Sequence, residues 1–137
     1  MKKSCLILLC LVLIVSFAAC GASAEDETGA VIKNNRLVVT LESNPSTGYG
    51  WIYAAAGDEC FNSEAEYEYL TEPHDLNLVG APGMERFIFT PSADGETTLH
   101  FEYLRTFEEN STLRTFDVSV RIEGGKLKLL SQKYVEL

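Results

Sequence analysis

The sequence has 137 residues, 46% of them hydrophobic, with 20 Asp and Glu against 11 Lys and Arg and a net charge of −9. That length holds one domain and not two. The acidic balance argues against nucleic acid as a partner, because such a surface repels phosphate backbones; a basic partner, or solubility alone, suits it better. The chain opens with Met1-Lys2-Lys3, an apolar run from Leu6 to Ala19 and then small residues. A basic start, a run short for a membrane span and a small-residue zone read as an export signal over residues 1–24.

Two endings of that signal compete. Phe17–Cys20, FAAC, resembles a bacterial lipobox with Phe17 where Leu is usual, which would make Cys20 the lipid attachment site and tie the chain to a membrane. Ala22–Ala24, ASA, satisfies the small-x-small rule for cleavage after Ala24. Either way the expected location is outside the cytoplasm, lipid-anchored at the cell envelope or secreted. Loss of the signal removes Lys2 and Lys3, leaving nine Lys and Arg against 20 Asp and Glu, a net charge of −11. It also removes Cys5 and Cys10, and Cys20 is acylated or lost. Cys60 then stands alone without a disulfide partner, and the domain must be held by its own core.

Residues 25–29, EDETG, read as a polar tether, and residues 30–137 as the domain. Within it the apolar period is two. Leu37, Val39 and Leu41 share one face of RLVVTL, and Phe87 and Phe89 one face of MERFIFT. Leu99, Phe101 and Tyr103 alternate with Thr98, His100 and Glu102; Phe116, Val118, Val120 and Ile122 alternate with Thr115, Asp117, Ser119 and Arg121. These are half-buried antiparallel strands. WIYAA and EYEYL add two more, the latter suited to a sheet edge, and RIEGGKLKLL reads as a hairpin turning at Gly124-Gly125. No window of a dozen residues carries a helical stripe. The fold class is all-β, an immunoglobulin-like antiparallel β-sandwich.

Catalytic parts are scarce. Two isolated histidines, His74 and His100, give no metal cluster, and no nucleophile elbow, phosphate-binding glycine motif or Ser/His/Asp set is present. Nothing asks for a cofactor. Cys60, in GDECFNSE, has no signature around it and reads as a small buried residue. Glu108-Glu109 reads as a solvated loop, and Asn110-Ser111-Thr112 as a sequon of little meaning in a bacterial host.

The loops are less ordinary. In Ser43–Trp51, SNPSTGYGW, Pro45 fixes its own φ and pushes Asn44 to extended backbone, while Gly48 and Gly50 permit shapes closed to other residues. Ser46 and Thr47 are small enough to enter a slot, and Tyr49 and Trp51 can pack the base of the loop to the sandwich. A rigid inter-sheet turn and a working loop both fit these residues. A second loop sets Gly80 and Gly83 around Ala81-Pro82. A third leaves a strand through Leu104-Arg105 and exposes Phe107 beside polar residues, the composition of an interface anchor.

Together the three loops resemble the chagasin family of inhibitors of papain-like cysteine proteases, whose motifs are NPTTGY (or F), Gly-x-x-Gly and Arg-Pro-Trp in that order. Asn44, Pro45, Ser46, Thr47, Gly48 and Tyr49 match the first with one conservative change. Gly80, Ala81, Pro82 and Gly83 match the second in its glycines. Arg105, Thr106 and Phe107 stand where Arg-Pro-Trp would. The resemblance spans about Arg36 to Ile122. It implies a reversible, non-covalent inhibitor, a monomer and not an enzyme, whose three loops form a wedge at one end of the sandwich. Asn44–Tyr49 would enter the protease cleft with Thr47 nearest the catalytic cysteine, and the other two loops would clasp it. A preorganised loop loses less entropy on docking.

The chain also departs from the family pattern. Thr106 in place of Pro removes stiffness, and Phe107 in place of Trp gives a smaller anchor without the indole N–H. Pro82 restricts the second loop. Only about a dozen residues, AVIKNNRLVVTL, lie between the tether and the first motif, where the family has room for two strands, and GGKLKLLSQKYVEL runs past the usual terminus; this tail would cover the sheet edge left by the short N-terminus. The competing readings are an extracytoplasmic adhesion or assembly module with structural loops, which would tolerate Thr47→Arg, and an enzyme using Cys60, which needs a histidine beside it.

Overall fold

A computed structural model of the chain describes residues 28–71 and 82–137. The export signal, Cys20 and most of the tether lie outside the described residues, as do Gly80 and Ala81 of the second loop. Eight strands form two antiparallel four-stranded sheets. The first has the order β1 (Gly29–Lys33), β2 (Arg36–Ser43), β5 (Gly83–Phe89), β4 (Glu66–Thr71). The second has the order β3 (Gly50–Gly57), β6 (Gly95–Leu104), β7 (Arg114–Glu123), β8 (Lys126–Glu136). EYEYL is an edge strand, as its charged, aromatic composition suggests. Gly29, the last residue of the expected tether, already pairs with Thr40.

The alternating residues meet between the sheets. Leu37, Val39, Leu41, Phe87, Phe89, Leu99, Phe101, Tyr103, Phe116, Val118, Val120 and Ile122 are all buried. Phe101 is central, in edge or tilted contact with Tyr53, Phe87, Phe89 and Phe116 at centroid separations from 5.3 to 6.1 Å. A core of this aromatic content holds the domain without a disulfide. Cys60 belongs to it, 1% exposed, and burial with the nearby charges of Asp58 and Asp94 raises its thiol pKa. His100 instead bonds Asp117 on the polar face of β6, so the described residues bring no histidine to Cys60.

The two chain ends depart from expectation. The dozen residues before the first motif do form two strands, because Asn34 and Asn35 both adopt positive φ, 51° and 57°, and turn the chain in two residues. The C-terminal strand does not pair with that hairpin; β8 adds to β7 in the opposite sheet, through the Gly124-Gly125 turn. Side-chain amides close the gap between the two hairpins. Asn35 donates to the Gly125 carbonyl at 2.8 Å and accepts the Leu127 N–H at 2.9 Å. Gln132 accepts the Ala30 N–H at 2.9 Å and donates to the Ala30 carbonyl at 3.4 Å. Each amide stands in for a missing strand pair, since a carboxamide offers the same donor and acceptor as a peptide.

Candidate functional site

Strand register fixes where the loops emerge. Ser43 at the end of β2 faces Gly83 at the start of β5, which faces Thr71 at the end of β4. In the other sheet Gly50 faces Leu104, and Tyr103 faces Arg114. The β2–β3, β4–β5 and β6–β7 connections therefore begin and end at one end of the sandwich. The first and third motifs, far apart in the chain, are adjacent in the fold, and the described end of the second, Pro82-Gly83, emerges at the same end.

The first loop is a single 3₁₀ turn over Pro45–Thr47. Pro45 opens it, where its lacking N–H is not missed. Asn44 is extended, with φ −132° and ψ 86°, and its carbonyl accepts both the Thr47 N–H at 3.1 Å and the Thr47 hydroxyl at 2.6 Å. Gly48 ends the turn in left-handed backbone, φ 79°, and its N–H reaches the Pro45 carbonyl at 3.0 Å. Ser46 bonds the Asn44 side chain. Every one of these bonds is internal to the turn, so Pro45–Gly48 stands exposed yet has its shape set before any partner arrives.

Below the turn lies an aromatic plinth. Tyr49 stacks on Tyr103 at 5.3 Å, Trp51 packs on the same ring at 5.1 Å, and the Tyr103 hydroxyl accepts the Asn44 N–H at 2.9 Å. The buried Trp51 indole donates to the Glu42 carbonyl at 2.9 Å. The base of the loop is thus anchored to both sheets, as the two aromatic residues of the motif suggest.

The third loop braces the first. Its turn closes from the Glu108 N–H to the Arg105 carbonyl at 3.1 Å. Buried Ser111 ties the turn's base by accepting the Arg105 N–H at 2.9 Å and facing the Arg105 and Glu108 carbonyls. From this base Arg105 donates to the Thr47 carbonyl at 3.1 Å, lies over the Tyr49 ring at 4.4 Å and pairs with Glu108 at 2.9 Å. The bond to Glu108 raises the Arg105 pKa further, so the brace stays cationic. Phe107 is 77% exposed, and its ring edge stands 3.1 Å from where a Cβ on Gly48 would sit. Thr106 is exposed beside it.

Of the second motif, Pro82 is exposed and Gly83 is buried in β5. A Cβ on Gly83 would collide with the Tyr69 hydroxyl and the Leu70 carbonyl, so this glycine is required by packing against β4. Sequence reasoning overlooked four supporting residues: Ser43, Glu85, Tyr103 in its hydroxyl role, and Ser111. Glu85 alone had a visible signal, a charge at period two from Phe87 and Phe89.

A family model described as chagasin family peptidase inhibitor I42 matches residues 30–120 of the chain. Amoebiasin-2 of Entamoeba histolytica is 31% identical over 111 residues, covering 78% of this chain and 89% of that protein. Chagasin of Trypanosoma cruzi is 34% identical over 70 residues, covering 49% of this chain and 62% of its own. Among solved structures, the cysteine protease inhibitor EhICP2 from Entamoeba histolytica is similar with a TM-score of 0.51 at 30% identity, over 63% of this chain and 77% of that one.

Proposed function

The chain belongs to the chagasin family of peptidase inhibitors, an inhibitor of cysteine proteases and not an enzyme, and from that premise we propose that it blocks papain-like proteases with the three-loop end of its sandwich. The Pro45–Thr47 turn enters the active-site cleft, with Thr47 foremost. Arg105, Thr106 and Phe107 flank it on one side, and the second loop, whose exposed Pro82 precedes the buried Gly83, contacts the protease as well. The observation that carries this reading is the exposed turn whose hydrogen bonds are satisfied internally and whose carbonyl at Thr47 is held by Arg105.

Such a turn suits occlusion. It presents a fixed backbone, so docking orders little new structure. The Thr47 carbonyl is already engaged by Arg105, and the 3₁₀ geometry keeps the peptide from the extended pose that a nucleophile attacks. Inhibition is therefore reversible and forms no acyl-enzyme, with one inhibitor per protease. The test is titration of papain with the purified chain beside Thr47→Arg, each shown to be folded by circular dichroism. Tight inhibition that is relieved on dilution and lost in the variant supports the wedge; equal inhibition by both would place the active surface elsewhere.

The acidic chain is exported on this reading, as a protease inhibitor meeting its target outside the cytoplasm requires. Mass spectrometry of the mature N-terminus separates the two forms: an acylated Cys20 gives an envelope-anchored inhibitor, and a free Glu25 a secreted one.

A further inference from the structure

Glu85 lies on the inward face of β5, in line with Phe87 and Phe89, and is 4% exposed. A carboxylate in that position loses its hydration and needs donors in return. It finds them at both ends of the first loop. One oxygen accepts the Ser43 hydroxyl at 2.6 Å, and the other faces the Trp51 N–H at 3.4 Å. The Tyr67 side chain of β4 lies beside it and lowers its pKa. Ser43 is the last residue of β2, in the first sheet, and Trp51 is the second residue of β3, in the other. One side chain therefore ties the entry of the loop to its exit and one sheet to the other, directly beneath the exposed turn.

We propose that Glu85 is a positioning residue for inhibition: by holding Ser43 and Trp51 together it fixes the width of the loop's base, and so the pose in which Pro45–Gly48 meets the protease. This rests on the function proposed above. The hydrogen bonds inside the turn set its shape, but none of them sets its angle to the sandwich. That angle follows from where the chain enters and leaves, together with the Arg105 and Tyr103 bonds that reach the turn from the other sheet. Without the clamp the turn keeps its form and samples more directions, and affinity falls by the fraction of time spent in the right one. Burial, opposed by Ser43, the Trp51 N–H and the neighbouring Tyr67, leaves the Glu85 pKa above the ordinary glutamate value. The titratable groups around it are Tyr67 and Tyr69 on β4, whose pKa values burial and then the Glu85 charge raise, so both stay protonated in acid; Tyr103 of β6 lies beside Tyr69.

The variant Glu85→Gln keeps the size of the side chain but offers one acceptor oxygen where two donors converge. Inhibition of papain is measured well below the melting temperature, with the ¹H–¹⁵N spectrum of free wild type and variant. Inhibition is expected to weaken by about tenfold or more, with amide shifts moving over residues 43–51 and not along β7 and β8. In the wild type the Trp51 amide shift follows a titration above the ordinary glutamate range, which the variant abolishes. A folded variant that melts earlier yet inhibits as well as wild type would overturn the proposal by reducing Glu85 to a structural role. Should Glu85→Gln fail to fold, Ser43→Ala removes a single donor, and unchanged inhibition by that folded variant overturns the proposal equally. If the wild type itself does not inhibit papain, the functional reading fails first; the positioning role is then decided by the spectra, and an unmoved loop in the variant rejects it.

Discussion

Replacing Gln132 with Ala cuts the amide that joins β8 to the first strand. Ala30 is 3% exposed, and both of its backbone polar groups are served by this one side chain, the N–H at 2.9 Å and the carbonyl at 3.4 Å. A buried donor left without its acceptor costs about 1–3 kcal/mol. The longer carbonyl bond adds little. A groove of about 450 Å³ lined by Thr28, Gly29, Gln132 and Tyr134 lets water approach the site and offsets part of the loss. A net destabilisation of about 1.5–2 kcal/mol follows. At about 4 °C per kcal/mol for a domain of this size, the melting temperature should fall by roughly 6–8 °C. Thermal denaturation followed by circular dichroism reads the drop, and hydrogen exchange at the Ala30 amide reads its place. A variant melting within about 2 °C of the wild type, with Ala30 still protected, would refute the idea that the amide stitches the sheets.

Phe107→Trp should tighten papain inhibition by about three- to tenfold through larger aromatic contact and an added N–H donor; no gain or a loss would remove Phe107 from the binding surface. Gly83→Ala forces a methyl group against Tyr69 and Leu70 and should lower stability by about 1–3 kcal/mol in urea titration, whereas a neutral effect would show that β4 can move aside. Asp94 accepts the Gly125 and Gly124 N–H groups at 2.9 and 2.8 Å, which hold its pKa below the ordinary aspartate value. Its contribution to stability is therefore complete above that value, about 4, and is lost as pH falls through the lower folded-state value. Asp94→Asn should melt below the wild type at pH 6, with the gap closing in strong acid; a gap constant with pH would contradict the linkage.

The period-two pattern made the sandwich legible. Leu37, Val39 and Leu41, the run from Leu99 to Tyr103, and the run from Phe116 to Ile122 are buried on the faces that alternation assigns to them. Gly124-Gly125 turns as its composition requires. The Asn34-Asn35 turn was overlooked because a strand of five residues, mostly exposed, has little apolar signature, although asparagine's tolerance of positive φ was the clue. The tail's place was misread for a different reason. Alternation tells which face of a strand is buried and says nothing about which edge it joins. Long-range polar contacts are hidden for the same cause: Arg105 meets the Thr47 carbonyl across 58 positions, and Glu85 meets Ser43 across 42. The three loop motifs could be named from the sequence, but not that the third braces the first.

The central claim is that the first loop occupies the protease cleft, and alkylation of papain's active-site cysteine tests it most directly. Iodoacetamide is added to papain alone, to papain saturated with the wild-type chain, and to papain with Thr47→Arg at the same concentration. The account predicts that the wild type slows alkylation in proportion to enzyme bound, that the protection disappears on dilution, and that the variant gives none. A complex formed with the wild type in which the cysteine is alkylated at the free rate would contradict it.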